Sequence, residues 1–207
     1  MIDALYKPQL DRFWDRAGAR LARAGVTPNA VTLAALALAL ANCAAFVWHR
    51  DTLVFGLCLA LVECLDSVDG AVARMGGRSS RAGAFLDAAS DRYKDVLPLF
   101  ALGFVSREWA LCFAAATGAL LVSYGHARGL ASGVRAEPQG LPDLFERTER
   151  VALLCLGLVL SPLVPAPLLF GRDLLFLTLC ALALVNHATA AQRFLRFWRQ
   201  LAAEPGR

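Results

Sequence analysis

Four aspartates in the first half of the chain recur at the spacing of a helix turn. Asp66 and Asp69 are three residues apart, and Asp87 and Asp91 are four apart, so each pair projects from one face of its helix. Carboxylate oxygens suit hard divalent cations such as Mg²⁺ or Mn²⁺. Four aspartate carboxylates around two metal ions match the two-metal arrangement that catalyses phosphoryl transfer. The spacing therefore predicts a site for two metal ions and phosphoryl chemistry.

These aspartates lie in strongly apolar surroundings, with Glu63 and Asp95 nearby. The chain of 207 residues is 57% hydrophobic and has a mean hydropathy of +0.51, which is high for a soluble protein. Placing ionised side chains inside a bilayer costs free energy, so their presence there indicates a functional role. Two alternatives to a metal site stay open at this point: salt bridges with Arg92 and Lys94, or a pathway for cations or protons.

Six apolar stretches are long enough to cross the hydrocarbon layer, which takes about 20 residues. They cover residues 30–48, 53–75, 82–105, 108–131, 150–169 and 173–195. Before them, residues 8–24 place apolar and arginine side chains on opposite helix faces, as in a helix lying among lipid headgroups. The sequence therefore predicts an all-α integral membrane protein of six transmembrane helices preceded by an amphipathic interfacial helix.

We expect one domain over residues 1–207, with the interfacial helix at 1–26 and the six-helix catalytic bundle at 27–200. Thr27 and Pro28 predict the start of the first span, with Thr27 as the cap.

Basic residues outside the spans are distributed unevenly. Sixteen fall on one side of the predicted membrane, against Arg50, Arg107 and Arg172 on the other. Basic loops stay in the cytoplasm, so we predict a multi-pass protein of the inner (cytoplasmic) membrane with both termini cytoplasmic. The net charge of +4 is then explained by topology and anionic lipid. We expect no nucleic-acid partner, and a homodimer stays open.

The aspartates belong to a longer pattern, D-x2-D-G-x2-A-R-x8-G-x3-D-x3-D, which begins at Asp66 and ends at Asp91 with all eight fixed positions filled. The chain therefore resembles the CDP-alcohol phosphatidyltransferase family over nearly its whole length. The resemblance implies transfer of the phosphatidyl group from CDP-diacylglycerol to a polar alcohol, with release of CMP, in phospholipid biosynthesis.

The resemblance also assigns roles to the aspartates. Asp66, Asp69 and Asp87 are implied to ligate two Mg²⁺ or Mn²⁺ ions. Asp91 is implied to ligate one ion and to accept the proton of the attacking hydroxyl.

The other fixed positions are expected to serve the nucleotide. Gly70 and Ala73 are small enough for a nucleotide to approach the helix closely, and Arg74 is a cation suited to the diphosphate. Gly83 is expected to let the second and third spans pack tightly, since the short loop 75–81 predicts that these spans are antiparallel neighbours.

Further stretches are similar to the phosphatidylinositol phosphate synthase branch of the family. Asn29 and Thr32 match its N-x-x-T, and Ser80 takes the place of a hydroxyl that touches the CDP-lipid there. The expected CDP-lipid-binding residues are Asn29, Thr32, Gly70, Ala73, Arg74, Ser80 and Gly83.

Two basic motifs bear on the acceptor alcohol. Residues 123–128 resemble the branch motif S-Y-x-K-A-R, although His126 replaces the lysine, and residues 146–150 resemble E-R-P-E-R. An acceptor that carries a phosphate needs a basic pocket, which His126, Arg128, Arg147 and Arg150 are expected to form. Alternatively, these arginines are cytoplasmic anchors or partners of nearby glutamates.

Inositol phosphate is the expected acceptor. Phosphatidylglycerophosphate synthase, or another CDP-alcohol phosphatidyltransferase, is the alternative within the family. A divalent cation transporter is the alternative from a different class.

Overall fold

The computed structural model describes residues 14–77, 80–134, 143–164, 167–169 and 171–203, without the side chains of residues 66 and 67. Within these ranges the regular structure is helical and includes no β-strand, which confirms the all-α prediction. The helices are α1 (described over 14–23), α2 (Pro28–His49), α3 (Thr52–Gly76), α4 (Arg81–Ser106), α5 (Trp109–Ala131), α6 (Arg147–Leu160) and α7 (Leu174–Ala203).

Side-chain caps set the starts of three helices. The Thr27 hydroxyl accepts a hydrogen bond from the amide of Ala30 at 3.3 Å, and Pro28 opens α2, as the sequence predicts. Asp51 caps α3 and Ser80 caps α4 in the same way. Each cap satisfies an amide that the helix itself leaves unpaired.

Helix α6 departs from the predicted span 150–169. It begins at Arg147 and ends at Leu160, so its 14 residues cover only about 21 Å. Pro162 follows two residues later, and proline cannot continue the hydrogen-bond ladder of a helix. The prediction extended the helix wrongly because the residues after Leu160 are as apolar as those before it.

Three described helices are both long and apolar enough to cross a membrane by composition: α2, α5 and α7. Helices α3 and α4 are longer than 20 residues, but charged side chains lower their hydropathy. Helix α7 continues to Ala203, eight residues beyond its predicted end. Large apolar side chains such as Trp48, Phe113 and Leu184 are exposed on the outside of the bundle.

Helices α2 to α7 form a closed ring in which each helix packs against two others. The order around the ring is α3, α2, α4, α5, α7, α6 and back to α3. Small residues permit the close crossings: a Cβ placed at Gly157 of α6 would lie 2.3 Å from a Thr178 methyl carbon of α7. All six ring helices contribute to an apolar core, in which Phe46 stacks on Phe55 with ring centroids 4.1 Å apart.

The ring order corrects one prediction. Helices α3 and α4 are joined by a short loop, yet their described residues make few direct contacts, because α2 packs against both. Buried small residues on α2, including Ala35 and Ala39, allow this double contact. Gly83 accordingly does not serve a tight α3–α4 crossing. A Cβ placed there would lie 3.0 Å from the side-chain oxygen of Asn29 on α2.

Helix α1 lies directly on α3. A Cβ placed at Gly18 would be 2.7 Å from the carbonyl carbon of Ala71, so only glycine permits this approach. Asp15 of α1 pairs with Arg74 of α3 at 3.0 Å. Helix α1 is thereby attached at the end of α3 that carries the sequence pattern.

Candidate active site

Asp69 is buried between α2 and α3. The Thr32 hydroxyl donates a hydrogen bond to Asp69 Oδ2 at 2.6 Å, and the two residues are 3% and 7% exposed. Sequence reasoning expected Thr32 to face the nucleotide, whereas the structure places its hydroxyl on the carboxylate. This contact fixes the orientation of Asp69, and no basic side chain among the described residues pairs with it.

Three of the residues expected to bind the CDP-lipid meet where α4 begins. The Ser80 hydroxyl accepts a hydrogen bond from the amide of Gly83 at 3.0 Å. Positions 29 and 80 both lie close to Gly83, since a Cβ there would be 3.0 Å from Asn29 Oδ1 and 3.1 Å from Ser80 Oγ. The structure therefore brings Asn29, Ser80 and Gly83 together across α2 and α4.

Gly70 borders open space on the surface of α3. Among the described side chains, a Cβ placed there would meet only the Arg74 guanidinium, at an ordinary contact distance of 3.4 Å. Glycine inside a helix costs about 0.5–1 kcal/mol relative to alanine, and the packing around Gly70 does not require it. Arg74 itself is exposed and held by Asp15. Ala73 is half-buried one turn from Gly70.

A network of ion pairs surrounds Asp91 and Asp95 on α4. Arg147 of α6 reaches Glu63 of α3 at 3.0 Å, Asp91 at 3.3 Å and Asp95 at 3.1 Å. The buried Lys94 ammonium lies 3.0 Å from Asp91. The salt bridges that the sequence left open as an alternative are therefore present around Asp91 and Asp95. Asp69 takes no part in them.

Arg147 thus contacts Asp91, the expected base, and does not serve the expected acceptor pocket alone. Arg92 adds a pair with Asp95 at 3.3 Å and a longer one with Asp91 at 3.8 Å. Any change at Arg147 will therefore act on Asp91 as well as on a bound alcohol.

The described residues fit a hard divalent cation in part. They contain no group of three or more potential ligands in mutual reach, but the side chain of Asp66 lies outside them. Asp69 offers a buried carboxylate without a basic partner in the described ranges. Asp91 Oδ1 is also buried, and no well-aligned hydrogen bond reaches it there. Oxygen donors of this kind suit Mg²⁺ or Mn²⁺.

A cavity of about 890 Å³ opens beside these carboxylates. It is lined by the four arginines Arg92, Arg147, Arg150 and Arg193, by His126, and by the carboxylates of Asp87, Asp91, Asp143 and Glu146. Arg128, which the sequence grouped with the acceptor residues, is exposed and is not among the described lining residues. Sequence reasoning did not single out Arg193, since it took the arginines of the last helix as cytoplasmic anchors.

Arg150 is the most unusual of these arginines. It is only 6% exposed, and its Nε and Nη1 atoms have no hydrogen-bond partner in the described part of the chain. A buried charge without a partner is strongly destabilising. Because Arg150 lines the cavity, an anion bound there would supply the missing partner.

A model of the CDP-alcohol phosphatidyltransferase family matches residues 25–185. The chain belongs to that family. It is therefore an enzyme of phospholipid synthesis and a membrane protein, and the family match excludes the cation-transporter alternative. The match covers α2 to α6 and the first part of α7, so it includes the aspartates and the described cavity-lining residues except Arg193.

Similar proteins include the archaetidylinositol phosphate synthase of Pyrococcus horikoshii, which is 34% identical over 143 residues, or 68% of this chain and 75% of that protein. The phosphatidylinositol phosphate synthase of Mycobacterium marinum is 31% identical over 186 residues, 86% of this chain and 76% of that one.

Solved structures of the phosphatidylinositol phosphate synthase of Mycobacterium tuberculosis share the fold. The structure with CDP-DAG bound gives a TM-score of 0.75 at 26% identity, covering 90% of this chain and 94% of that one. The structure in complex with manganese and citrate gives 0.77 at 24% identity, covering 89% and 88%.

Proposed function

We propose that this CDP-alcohol phosphatidyltransferase transfers the phosphatidyl group of CDP-diacylglycerol to inositol phosphate. The observation that carries the proposal is the buried Arg150, whose Nε and Nη1 find no hydrogen-bond partner among the described residues, in a cavity whose wall also holds Asp91. A cavity with four arginines suits an alcohol that already bears a phosphate. The names of the relatives in Pyrococcus and Mycobacterium support inositol phosphate in particular.

In the proposed reaction the acceptor hydroxyl oxygen attacks the β-phosphorus of CDP-diacylglycerol. A new P–O bond forms, the bond from that phosphorus to the oxygen of CMP breaks, and CMP leaves with the electron pair. Asp91 takes the hydroxyl proton. Lys94 and Arg147 hold its carboxylate in place from two sides, so that the base is oriented before the alcohol arrives.

Asp66, Asp69, Asp87 and Asp91 would hold two divalent ions. Such ions neutralise the diphosphate and the leaving phosphate. Thr32 orients Asp69 through its 2.6 Å hydrogen bond, as residues behind metal ligands commonly do. Asn29, Gly70, Ala73, Arg74, Ser80 and Gly83 would form the CDP-lipid side of the site, and His126, Arg150 and Arg193 the acceptor side.

An acceptor panel tests the proposal. The purified enzyme would be incubated with CDP-diacylglycerol, Mg²⁺ and inositol phosphate, glycerol phosphate, free inositol, glycerol or serine, and CMP release would be measured. We expect inositol phosphate to give the highest kcat/KM. Preference for glycerol phosphate would support phosphatidylglycerophosphate synthase, and preference for a free polyol would remove the reason for an arginine-lined cavity.

Gly70 provides a test of the lipid side. Gly70→Ala should keep or slightly raise the melting temperature, because no atom of the described residues opposes the added methyl group. It should raise the KM for CDP-diacylglycerol about tenfold, since a loss of about 1.4 kcal/mol of binding corresponds to that factor. Gly157→Ala is the matched control: its methyl group would clash with Thr178 and lower the melting temperature. An unchanged lipid KM in Gly70→Ala would refute the role of Gly70.

The six-span topology with both termini in the cytoplasm remains our proposal. It rests on the arginine asymmetry, which places the exposed Leu168, in the segment between α6 and α7, outside the cytoplasm. In a cysteine-free background, Leu168→Cys should be labelled by an impermeant maleimide from outside the cell, and Arg199→Cys should not. The reverse pattern would invert the orientation.

A further inference from the structure

Asp143 lies in the wall of the large cavity and pairs with two arginines of α7. One carboxylate oxygen accepts a hydrogen bond from Arg193 and the other from Arg196. All three side chains are less than one-fifth exposed. The neighbouring amide of Leu144 donates to the side chain of Gln192 at 2.9 Å. The carboxylate is therefore held between two guanidinium groups one helix turn apart.

Arg193 cannot turn away from this position freely. Its Nη1 donates a hydrogen bond to the carbonyl oxygen of Val122 on α5 at 2.8 Å, while its Nη2 faces Asp143. The guanidinium is thus fixed in the cavity wall. An anion in the cavity that binds this nitrogen in the position of the Asp143 carboxylate must displace that carboxylate.

A phosphate monoester offers the same pair of oxygens with more charge. It carries about −1.5 to −2 at neutral pH, against −1 for a carboxylate, so two arginines bind it more strongly. We propose that Asp143 is an internal competitor for the acceptor's phosphate: it occupies the Arg193–Arg196 pair until the acceptor displaces it. This inference rests on the proposed function in taking the acceptor to be phosphorylated.

The consequence is protection against weakly binding anions. At the Arg193–Arg196 pair, inorganic phosphate must displace Asp143, and it makes fewer further contacts with the cavity than a phosphorylated alcohol does. A phosphorylated alcohol also contacts the rest of the cavity, and these contacts favour its binding over the internal pair. Asp143 thereby protects the arginines from small anions of the cytoplasm, and it reduces the apparent affinity of each anion by the cost of its own displacement.

The test uses inorganic phosphate as the probe on the full-length protein in detergent. Asp143→Asn should bind phosphate about tenfold more tightly than the wild type, measured by the rise in melting temperature and by inhibition of CMP release. The double variant Asp143→Asn/Arg193→Gln should lose this gain. Glu108→Gln is the matched control, because it frees Arg172, which lies at the opposite end of α7 from Arg193, and should not create phosphate inhibition.

Asp143→Asn protein that is folded but binds phosphate no better than the wild type would overturn the proposal and leave Asp143 as a structural link. If the variant does not fold, the wild type provides the test. Inorganic phosphate that inhibits the wild type as strongly as a phosphorylated alcohol does would contradict the protection of the two arginines by Asp143. Both phosphate readouts are independent of the acceptor's identity. A preference for a free polyol in the acceptor panel, with phosphate binding gained in Asp143→Asn, would refute the proposed function and leave Asp143 as a competitor for anions in general instead of for the acceptor's phosphate.

Discussion

Replacing Asp69 by asparagine is expected to lower the rate of CMP release by about 10³-fold while the protein stays folded. The amide can still accept the hydrogen bond from Thr32, so the α2–α3 contact is retained. The negative charge is lost, and with it several kcal/mol of charge stabilisation by a bound metal ion. The measurement is steady-state CMP release at increasing Mg²⁺ or Mn²⁺, alongside the melting temperature in EDTA.

Thr32 gives the matched comparison. Thr32→Val removes the hydroxyl that orients Asp69 and should raise the metal concentration needed for half-maximal activity by about 10–100-fold. Thr32→Ser keeps the hydroxyl and should restore most of this loss. Full activity of Asp69→Asn, or of the wild type in excess EDTA, would contradict the metal mechanism.

Replacing Arg150 by glutamine is expected to raise the KM for the acceptor by about 10–100-fold, because a charge-assisted contact contributes about 1.5–3 kcal/mol. The KM for CDP-diacylglycerol should barely change. Stability should not fall, since the guanidinium makes no ion pair among the described residues and is costly where it stands. Kinetics with each substrate varied in turn, combined with a melting curve, separate these effects.

Arg147→Gln serves as the contrasting variant. It breaks contacts to Glu63, Asp91 and Asp95, so it should lower kcat and the melting temperature as well as weaken the acceptor. Equal losses for both substrates in Arg150→Gln, accompanied by a lower melting temperature, would assign Arg150 a structural role.

Much of the fold could be predicted because helix signals are local. Thr27 and Pro28 mark the start of α2 as expected, and the hydropathy pattern places the other helices to within a few residues, except at α6 and the far end of α7. At those two ends, hydropathy does not mark where the helix stops: α6 ends before Pro162, and α7 continues past its apolar part. Residues beyond Leu160 are apolar but irregular, and the last turns of α7 are too basic to be taken for a membrane span.

The ring order could not be predicted, because a short loop between α3 and α4 does not reveal that α2 packs against both. The prediction of the site was limited in the same way, because the sequence does not show which helices are in contact. The pattern around Asp66 identified the reaction, yet the partners of Arg147 and the position of Asp143 depend on which helix ends meet across the ring. Arg193 carried no local signal that separated it from the arginines at 196 and 199.

In the proposed mechanism, the two substrates are bound largely by different halves of the chain. All eight fixed positions of the aspartate pattern lie on α3 and α4, whereas Arg147, Arg150 and Arg193 come from α6 and α7. An exchange of the C-terminal half between relatives would therefore change the alcohol and leave the chemistry intact. Arg147 is the junction that such a chimera must preserve, since it joins α6 to the carboxylates of α3 and α4. Evolution of new lipid headgroups in this architecture can proceed in one half of the gene while the other half stays fixed.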